Sequence, residues 1–264
     1  MLPCDSIILD LEDAVAPDAK AEARQRASEV LSGRIFGTRK VVVRVNGPDP
    51  DGQTDDLAED LTAILPHAPD AVLFPKIRFH EDAERAELAL AAALAPSNTR
   101  LWLMIETPQA VIDLPAIGAL ARRPHARLEA LVMGTNDLAK EMMVSLTPSR
   151  LALLHALSAT VLAGRAFGLV TLDGVFGDIH NSAGFEGEAL QGKGLGFDGK
   201  TLIHPAQIDT ANRIFSPSAQ ERARAEAIAK AFEDPANAGR AVLVVEGQMV
   251  ERLHYEMALR ILDR

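Results

Sequence analysis

Three acids crowd the end of one apolar run, where Ile7-Ile8-Leu9 gives way to Asp10, Glu12 and Asp13. Carboxylates so placed are expensive to bury unless they meet cations or hydrogen-bond donors. The competing account is solvated charge plus helix capping by Asp13 or Asp18. Arg44 lies between valines in Val43-Arg44-Val45, with Asn46 and Gly47 following. A guanidinium in a buried-strand pattern needs a partner. Its planar fork suits a substrate carboxylate or a strand-end acid of the protein, and the two roles are compatible. Lys76 follows Phe74-Pro75 in the same topological position, where an ammonium can form a Schiff base, stabilise an enolate or bind phosphate.

Two further acids follow later apolar runs. Glu106 ends Leu101–Ile105, and Asp137 comes just after Val132-Met133-Gly134. Carboxylates from neighbouring strands, in a chain whose single cysteine is Cys4 and whose histidines do not cluster, describe an oxygen-donor site. Such a site favours magnesium or manganese, with waters and substrate oxygens completing the coordination. Helix capping and core salt bridges are the alternative use of the same pair.

These residues need strands to present them. Short β-branched or apolar runs at Ser6–Leu11, Lys40–Val45, Ala71–Pro75, Arg100–Ile105, Ala130–Met133 and Ala166–Leu172, with a weaker one at Thr201–His204, read as strands buried on both faces. Amphipathic stretches at Ala19–Leu31, Thr54–Leu65, Glu81–Ala95, Val111–Leu120, Pro148–Ala163 and Gly184–Gly194 alternate with them. Strand–helix alternation at this spacing predicts a parallel α/β sheet, and polar strand ends are where (β/α) barrel enzymes keep their chemistry. Only seven strands can be found where a closed barrel has eight, and the shortfall falls at the amino end, where Asp5 enters the first strand directly. The expected organisation is a (β/α) barrel catalytic domain over residues 1–215 and a helical extension over 216–264, acting as a lid or as an arm on a neighbouring subunit. In that extension Ser218–Phe232 reads as a helix, Asp234–Arg240 as a turn, Ala241–Val245 as a short strand and Met249–Leu262 as a closing helix.

At 264 residues and 48% hydrophobic, the chain can fill one barrel core. A net charge of −10 argues against a nucleic-acid partner, which needs a basic patch. One cysteine excludes a disulfide framework and fits a reducing, cytoplasmic setting. No charge-free apolar run reaches the roughly eighteen residues of a membrane span, and no export signal opens the chain.

The ordered pieces Ile7-Ile8-Leu9-Asp10-Leu11-Glu12-Asp13-Ala14-Val15, Val43-Arg44-Val45-Asn46, Phe74-Pro75-Lys76, Ile105-Glu106-Thr107, Gly134-Thr135-Asn136-Asp137-Leu138 and Ile203-His204-Pro205-Ala206-Gln207-Ile208 resemble the HpcH/HpaI aldolase and citrate lyase beta-subunit superfamily, closest to its citrate lyase beta-like and malyl-CoA lyase branch. The resemblance implies a TIM (β/α)8 barrel here lacking the usual first strand, which in relatives is an Arg-Ser followed by an apolar run and Pro-Gly. It implies Glu106 and Asp137 as magnesium ligands, Arg44 on the keto-acid carboxylate, and Glu12 and Asp13 near the metal and its waters. His204 and Pro205 then lie by coenzyme A, with Lys76 as a charge partner, and homotrimers are expected, the carboxy-terminal segment of one subunit covering the site of another. The closing motif departs from the usual Asp-Gly-Lys-Met: Glu246-Gly247-Gln248-Met249 puts a longer carboxylate where an aspartate handles the enolate proton.

The reaction so implied is magnesium-dependent, reversible cleavage of a malyl-CoA or citramalyl-CoA type thioester to an acyl-CoA and a 2-keto acid. The alternatives are a citrate lyase beta subunit acting on an acyl-carrier protein thioester, a hydroxy-keto-acid aldolase without coenzyme A, and a non-catalytic relative.

Overall fold

The computed structural model describes residues 2–47 and 55–262. Seven strands alternate with helices from the amino end: β1 (Ser6–Asp10), α1 (Lys20–Ser32), β2 (Lys40–Arg44), α2 (Asp56–Ile64), β3 (Ala71–Phe74), α3 (His80–Ala92), β4 (Arg100–Ile105), α4 (Pro108–Ala119), β5 (Leu128–Met133), α5 (Thr135–Glu141), α6 (Leu154–Phe167), β6 (Val170–Asp173), α7 (Ser182–Leu195), β7 (Gly199–Lys200) and α8 (Ile208–Phe215). Thr54, the expected start of α2, lies outside the described residues. All seven strands are parallel, and each pairs with its sequence neighbours in the order β1 to β7.

A sheet wound in one direction with helices on its outer face curls. The curl is visible inside it, where Lys40 at the start of β2 donates to both carboxylate oxygens of Glu129 on β5 at 2.9 and 3.0 Å, across the two intervening strands. Val42, Leu73, Trp102 and Val132 fill the concave side, with Ile8, Met104 and Leu172 packed against them. The alternate residues Val43, Val72, Leu103 and Leu131 are buried as well, which is why these strands read as nearly continuous apolar runs. Among the described residues β1 and β7 do not pair, so the barrel stays open where an eighth strand would close it.

Some expected boundaries move for identifiable reasons. The run Ala166–Leu172 is not one strand: Ala166 and Phe167 finish α6, Gly168 ends it in the left-handed conformation at φ 74°, and β6 starts at Val170. Thr201–His204 is not a strand either. The last strand is Gly199–Lys200, and His204 instead caps a short 3-10 turn, its ring Nδ1 accepting from the Ala206 amide at 3.2 Å. The predicted helix from Pro148 begins only at Leu154, because Arg150 adopts a left-handed φ of 47° before a short 3-10 turn.

Residues up to Asp209 form one compact unit and residues from Thr210 a second. The second contains α9 (Ala219–Glu233), β8 (Val242–Val245), β9 (Gln248–Glu251) and α10 (Arg252–Leu262). Its core is Ala225 and Ile228 of α9, Leu243, Val245 and Val250 of the hairpin, and Ala258 of α10. Met249–Glu251, expected to be helical, is strand: Glu246 and Gly247, at φ 50° and 77°, make a two-residue turn that pairs Val245 with Gln248. Among the described residues no helix is long and apolar enough to cross a membrane.

Candidate active site

The ends of the first five strands carry the acids and bases singled out by the sequence, and the sheet brings seven of them together. Asp10 and Arg44 end β1 and β2 directly opposite one another in register. Arg44 forks onto Asp10 through Nε at 2.7 Å and through Nη2, while its Nη1 lies 2.9 Å from Glu12 Oε2 and 3.7 Å from Met104 Sδ. Burial would raise the Asp10 carboxyl, but the Arg44 fork and the amides of Glu12 and Ala14 outweigh it and hold the group below the usual range. Those two amides donate at 3.0 and 3.3 Å, so Asp10 also shapes the turn that turns Glu12 inward.

Glu12 is buried, and its Oε2 accepts no hydrogen bond among the described residues, since the nearby Arg44 nitrogen is close but out of line. Burial raises its carboxyl despite Arg44 and Lys76.

Glu106 sits one residue beyond β4 and is 1% exposed. Its Oε1 accepts the Lys76 amide at 2.6 Å, while the Thr107 hydroxyl starts α4 by accepting from the Ala110 amide and ties back to the Ile77 carbonyl at 2.7 Å. Burial pushes the Glu106 carboxyl up to about 7, against the pull of the Lys76 amide and ammonium and with help from the charges of Glu12 and Asp137. Gly134 makes room for it: a Cβ there would lie 2.5 Å from the Glu106 Cβ and 2.6 Å from Oε2. That close approach is the reason for glycine at the β5 exit. Asp137 follows in the first turn of α5.

Lys76 occupies the middle. Its Nζ lies 3.2 Å from Asp137 Oδ2, 3.4 Å from Asp13 Oδ2, 3.7 Å from Glu12 Oε1 and 3.8 Å from Glu106 Oε1. Among the described residues, Asp10, Glu12, Asp13, Glu106 and Asp137 thus pair only with Arg44 and Lys76, five acids against two bases. Oxygen donors in excess, one of them buried and accepting no hydrogen bond among the described residues, suit a hard divalent cation.

His204 and Pro205 are exposed beyond β7, and Glu246, at the hairpin turn of the second unit with its side chain 59% exposed, has Arg224 Nη1 at 3.6 Å.

A supporting layer was not expected. Lys20 donates to the carbonyls of Leu11 and Glu12 and to Asn46 Oδ1, each at 2.7 Å. Asn46 in turn donates to Leu11 and to the fully buried Asp60, which holds Arg24 Nε at 2.7 Å. A signal existed: a lysine in the first turn of a helix opposes the helix dipole and needs another purpose. A second buried group sits at the ends of β6 and β7. Arg150 and Lys200 there pair with Asp173 and Glu188, and Lys200 Nζ lies 3.2 Å from Asp173 and 2.7 Å from Glu188. On the outer surface His80, Glu81 and Asp113 bring potential ligand atoms within 4.8 Å of one another and line a depression of about 410 Å³ with Phe79 and Arg85. His80 is already paired there with Asp113 at 2.8 Å, and it opens α3, where the helix dipole disfavours a cation. The strand-end acids carry the larger excess of negative charge.

A half-barrel of parallel strands with an acidic, oxygen-donor mouth is thus the class the fold and site define. Residues 1–205 match the HpcH/HpaI aldolase/citrate lyase family, and the chain belongs to it. The protein is 43% identical over 263 residues to a (3S)-malyl-CoA thioesterase of Cereibacter sphaeroides strain KD131, covering 100% of this chain and 87% of that one. It is 30% identical to the citrate lyase subunit beta of Escherichia coli K12, over 99% of this chain and 86% of the relative. The crystal structure of protein CitE from Mycobacterium tuberculosis in complex with magnesium, acetoacetate and coenzyme A superposes with a TM-score of 0.73 at 29% identity, over 98% of this chain and 89% of that one.

Proposed function

We propose that the protein is a magnesium-dependent carbon–carbon lyase that reversibly cleaves a malyl-CoA or citramalyl-CoA type thioester into an acyl-CoA and a 2-keto acid. The observation that carries this reading is the excess of carboxylate at the strand ends, five acids against two bases, with Glu12 Oε2 beside Arg44 but accepting no hydrogen bond among the described residues. Glu106 and Asp137 are the ligands proposed for Mg2+, and Mn2+ fits the same donors. Bound there, the ion supplies Lewis-acid polarisation of a keto-acid carbonyl.

The chain's own groups do the rest. Asp10 holds Arg44 through Nε and Nη2 and Glu12 faces its Nη1, so the fixed guanidinium orients the keto-acid carboxylate through its remaining N–H groups and faces the negative charge that develops beside it. Glu12 and Asp13 accept hydrogen bonds from water and substrate hydroxyls. His204 and Pro205 flank the coenzyme A portion, and Glu246, supplied by a neighbouring copy in a homotrimer, exchanges a proton at the thioester enolate carbon. The names of the M. tuberculosis structure and of the malyl-CoA relative support the ion and the substrate class.

A second reading has its own support. The 43% identical relative is named a thioesterase, so hydrolysis of the same thioester competes with carbon–carbon cleavage. Product analysis separates them: purified protein is incubated with malyl-CoA, with Mg2+ or with a chelator. Acetyl-CoA plus glyoxylate, formed only with the metal, is the expected result. Malate plus free coenzyme A would transfer the assignment to hydrolysis, and no turnover with Mg2+ would remove both.

A further inference from the structure

Three lysines in the barrel unit reach strand-end polar groups, and they are held differently. The Lys20 ammonium has three acceptors at 2.7 Å, a full set for its three protons. Lys200 is buried between Asp173, Glu188 and the Gly174 carbonyl, with contacts from 2.5 to 3.2 Å. Lys76 meets four carboxylates, and none is nearer than 3.2 Å. The first two are fixed by directed bonds. Lys76 has a hydrogen bond to Asp13 at 3.4 Å and an ion pair with Asp137 at 3.2 Å, both longer than the 2.5–2.7 Å bonds that fix the other two, so the summed field of four acids does most of the holding.

Its backbone is a different matter. Lys76 has a φ of 56°, unusual for a side chain with a Cβ, and its amide is fastened to Glu106 Oε1 at 2.6 Å. A pinned backbone thus carries a flexible four-carbon stem whose charged end, 38% exposed at the side chain, can leave toward solvent. That ammonium rests between Asp137, Asp13, Glu12 and Glu106, from 3.2 to 3.8 Å from each.

Resting on the metal-binding reading above, we infer that Lys76 is the resident counter-ion of the metal-free site and is displaced from among the carboxylates when a divalent cation enters. The two cations compete for one position. The lysine keeps the acids from repelling one another in the metal-free protein and weakens metal binding by the work of its own removal. An ordinary supporting residue would have the opposite signature, since its loss would weaken both the fold and the metal.

The test is Mg2+ titration calorimetry and thermal melting of the full chain as wild type, Lys76→Met and Lys76→Arg, with amine labelling of the wild type. Removing a unit charge about 3–4 Å from the ion's position should tighten Mg2+ binding by roughly tenfold or more. The metal-free melting midpoint of Lys76→Met should drop by several degrees, while Lys76→Arg keeps it and binds Mg2+ no more tightly than wild type. In the wild type, saturating Mg2+ should speed acetylation of Lys76, read by mass spectrometry, with the exposed Lys230 unchanged as the internal control. This last arm needs no variant to fold. Mg2+ binding by wild type with no tightening in Lys76→Met, or with labelling of Lys76 slowed or unchanged, overturns the exchange while leaving the metal site standing. A wild type that binds no Mg2+ at all overturns the metal reading and the exchange together.

Discussion

Two charged clusters sit at the same rim of the sheet and follow opposite rules. At the ends of β6 and β7, Arg150 and Lys200 are matched by Asp173 and Glu188, and Asp173 and the Lys200 side chain are fully buried. At the ends of β1 to β5, five acids meet two bases, Lys76 has no contact shorter than 3.2 Å, and Glu12 Oε2 accepts no hydrogen bond among the described residues. The first cluster is complete without any ligand and serves the open flank of the sheet, binding the last two strands to α7 and to the turn before α6. The second is incomplete, and burial has pushed Glu106 and Glu12 upward, as happens where carboxylates lack sufficient positive charge. Charge balance, more than burial or position on the rim, separates the part that holds the fold from the part available for chemistry.

The sharpest way to break this comparison is to remove one acid from each cluster. Asp137→Ala should lower metal-dependent turnover by about 10³-fold or more, the scale of losing a group aimed at transition-state charge. Its metal-free melting midpoint should stay level or rise, because a repelling charge has gone. A falling midpoint would make Asp137 structural and the contrast false. Asp173→Ala should instead cost about 3–5 kcal/mol of unfolding free energy, since it strands Arg150 and Lys200 in the interior. Denaturant unfolding measures this, and a loss under about 1 kcal/mol would show the second cluster to be as loosely compensated as the first.

The pH dependence sharpens the contrast further. Glu106 has its carboxyl at about 7 in the folded chain against 4.5 for the ordinary group. Between these values the folded protein keeps a proton that the unfolded chain has released, so rising pH draws stability away. The metal-free protein should therefore lose up to about 3 kcal/mol from this group between pH 4.5 and 7. Melting curves across that range should slope downward, and Glu106→Gln should flatten them. Mg2+ affinity should rise over the same range, because the ligand must give up its proton. The smallest effect belongs to the supporting layer. Lys20→Met should lower kcat/KM by roughly 10- to 100-fold, as losses behind a metal site do, by freeing the turn that carries Glu12 and Asp13. Restored activity in Lys20→Arg would identify the hydrogen bonds, more than the length of the side chain, as the cause.

Much of this was legible in the chain. The apolar runs before Asp10, Arg44, Lys76 and Glu106 become strands because residues buried on both faces leave no alternation to misread. The acids fall at the rim because polar groups can only follow where such runs stop. Less legible were short elements, whose local signals are weak. The helix α5, seven residues long, is absent from the helices expected from the sequence, and the two-residue β7 was misplaced onto Thr201–His204.

What the sequence by itself determined, then, is the identity and order of the strand-end groups and the family to which they belong. Tertiary structure decided their partners. Arg44 could have been free for a substrate, but the register of β1 against β2 sets Asp10 opposite it, and half its fork is already engaged. Glu106 is buried because the β5 exit closes over it at Gly134, and Lys76 reaches four acids that lie far apart in the chain because the sheet curls. Residue type and spacing are local, while charge balance and desolvation depend on which strand ends the curved sheet brings within a few ångströms of each other, and that geometry exists only in the folded protein.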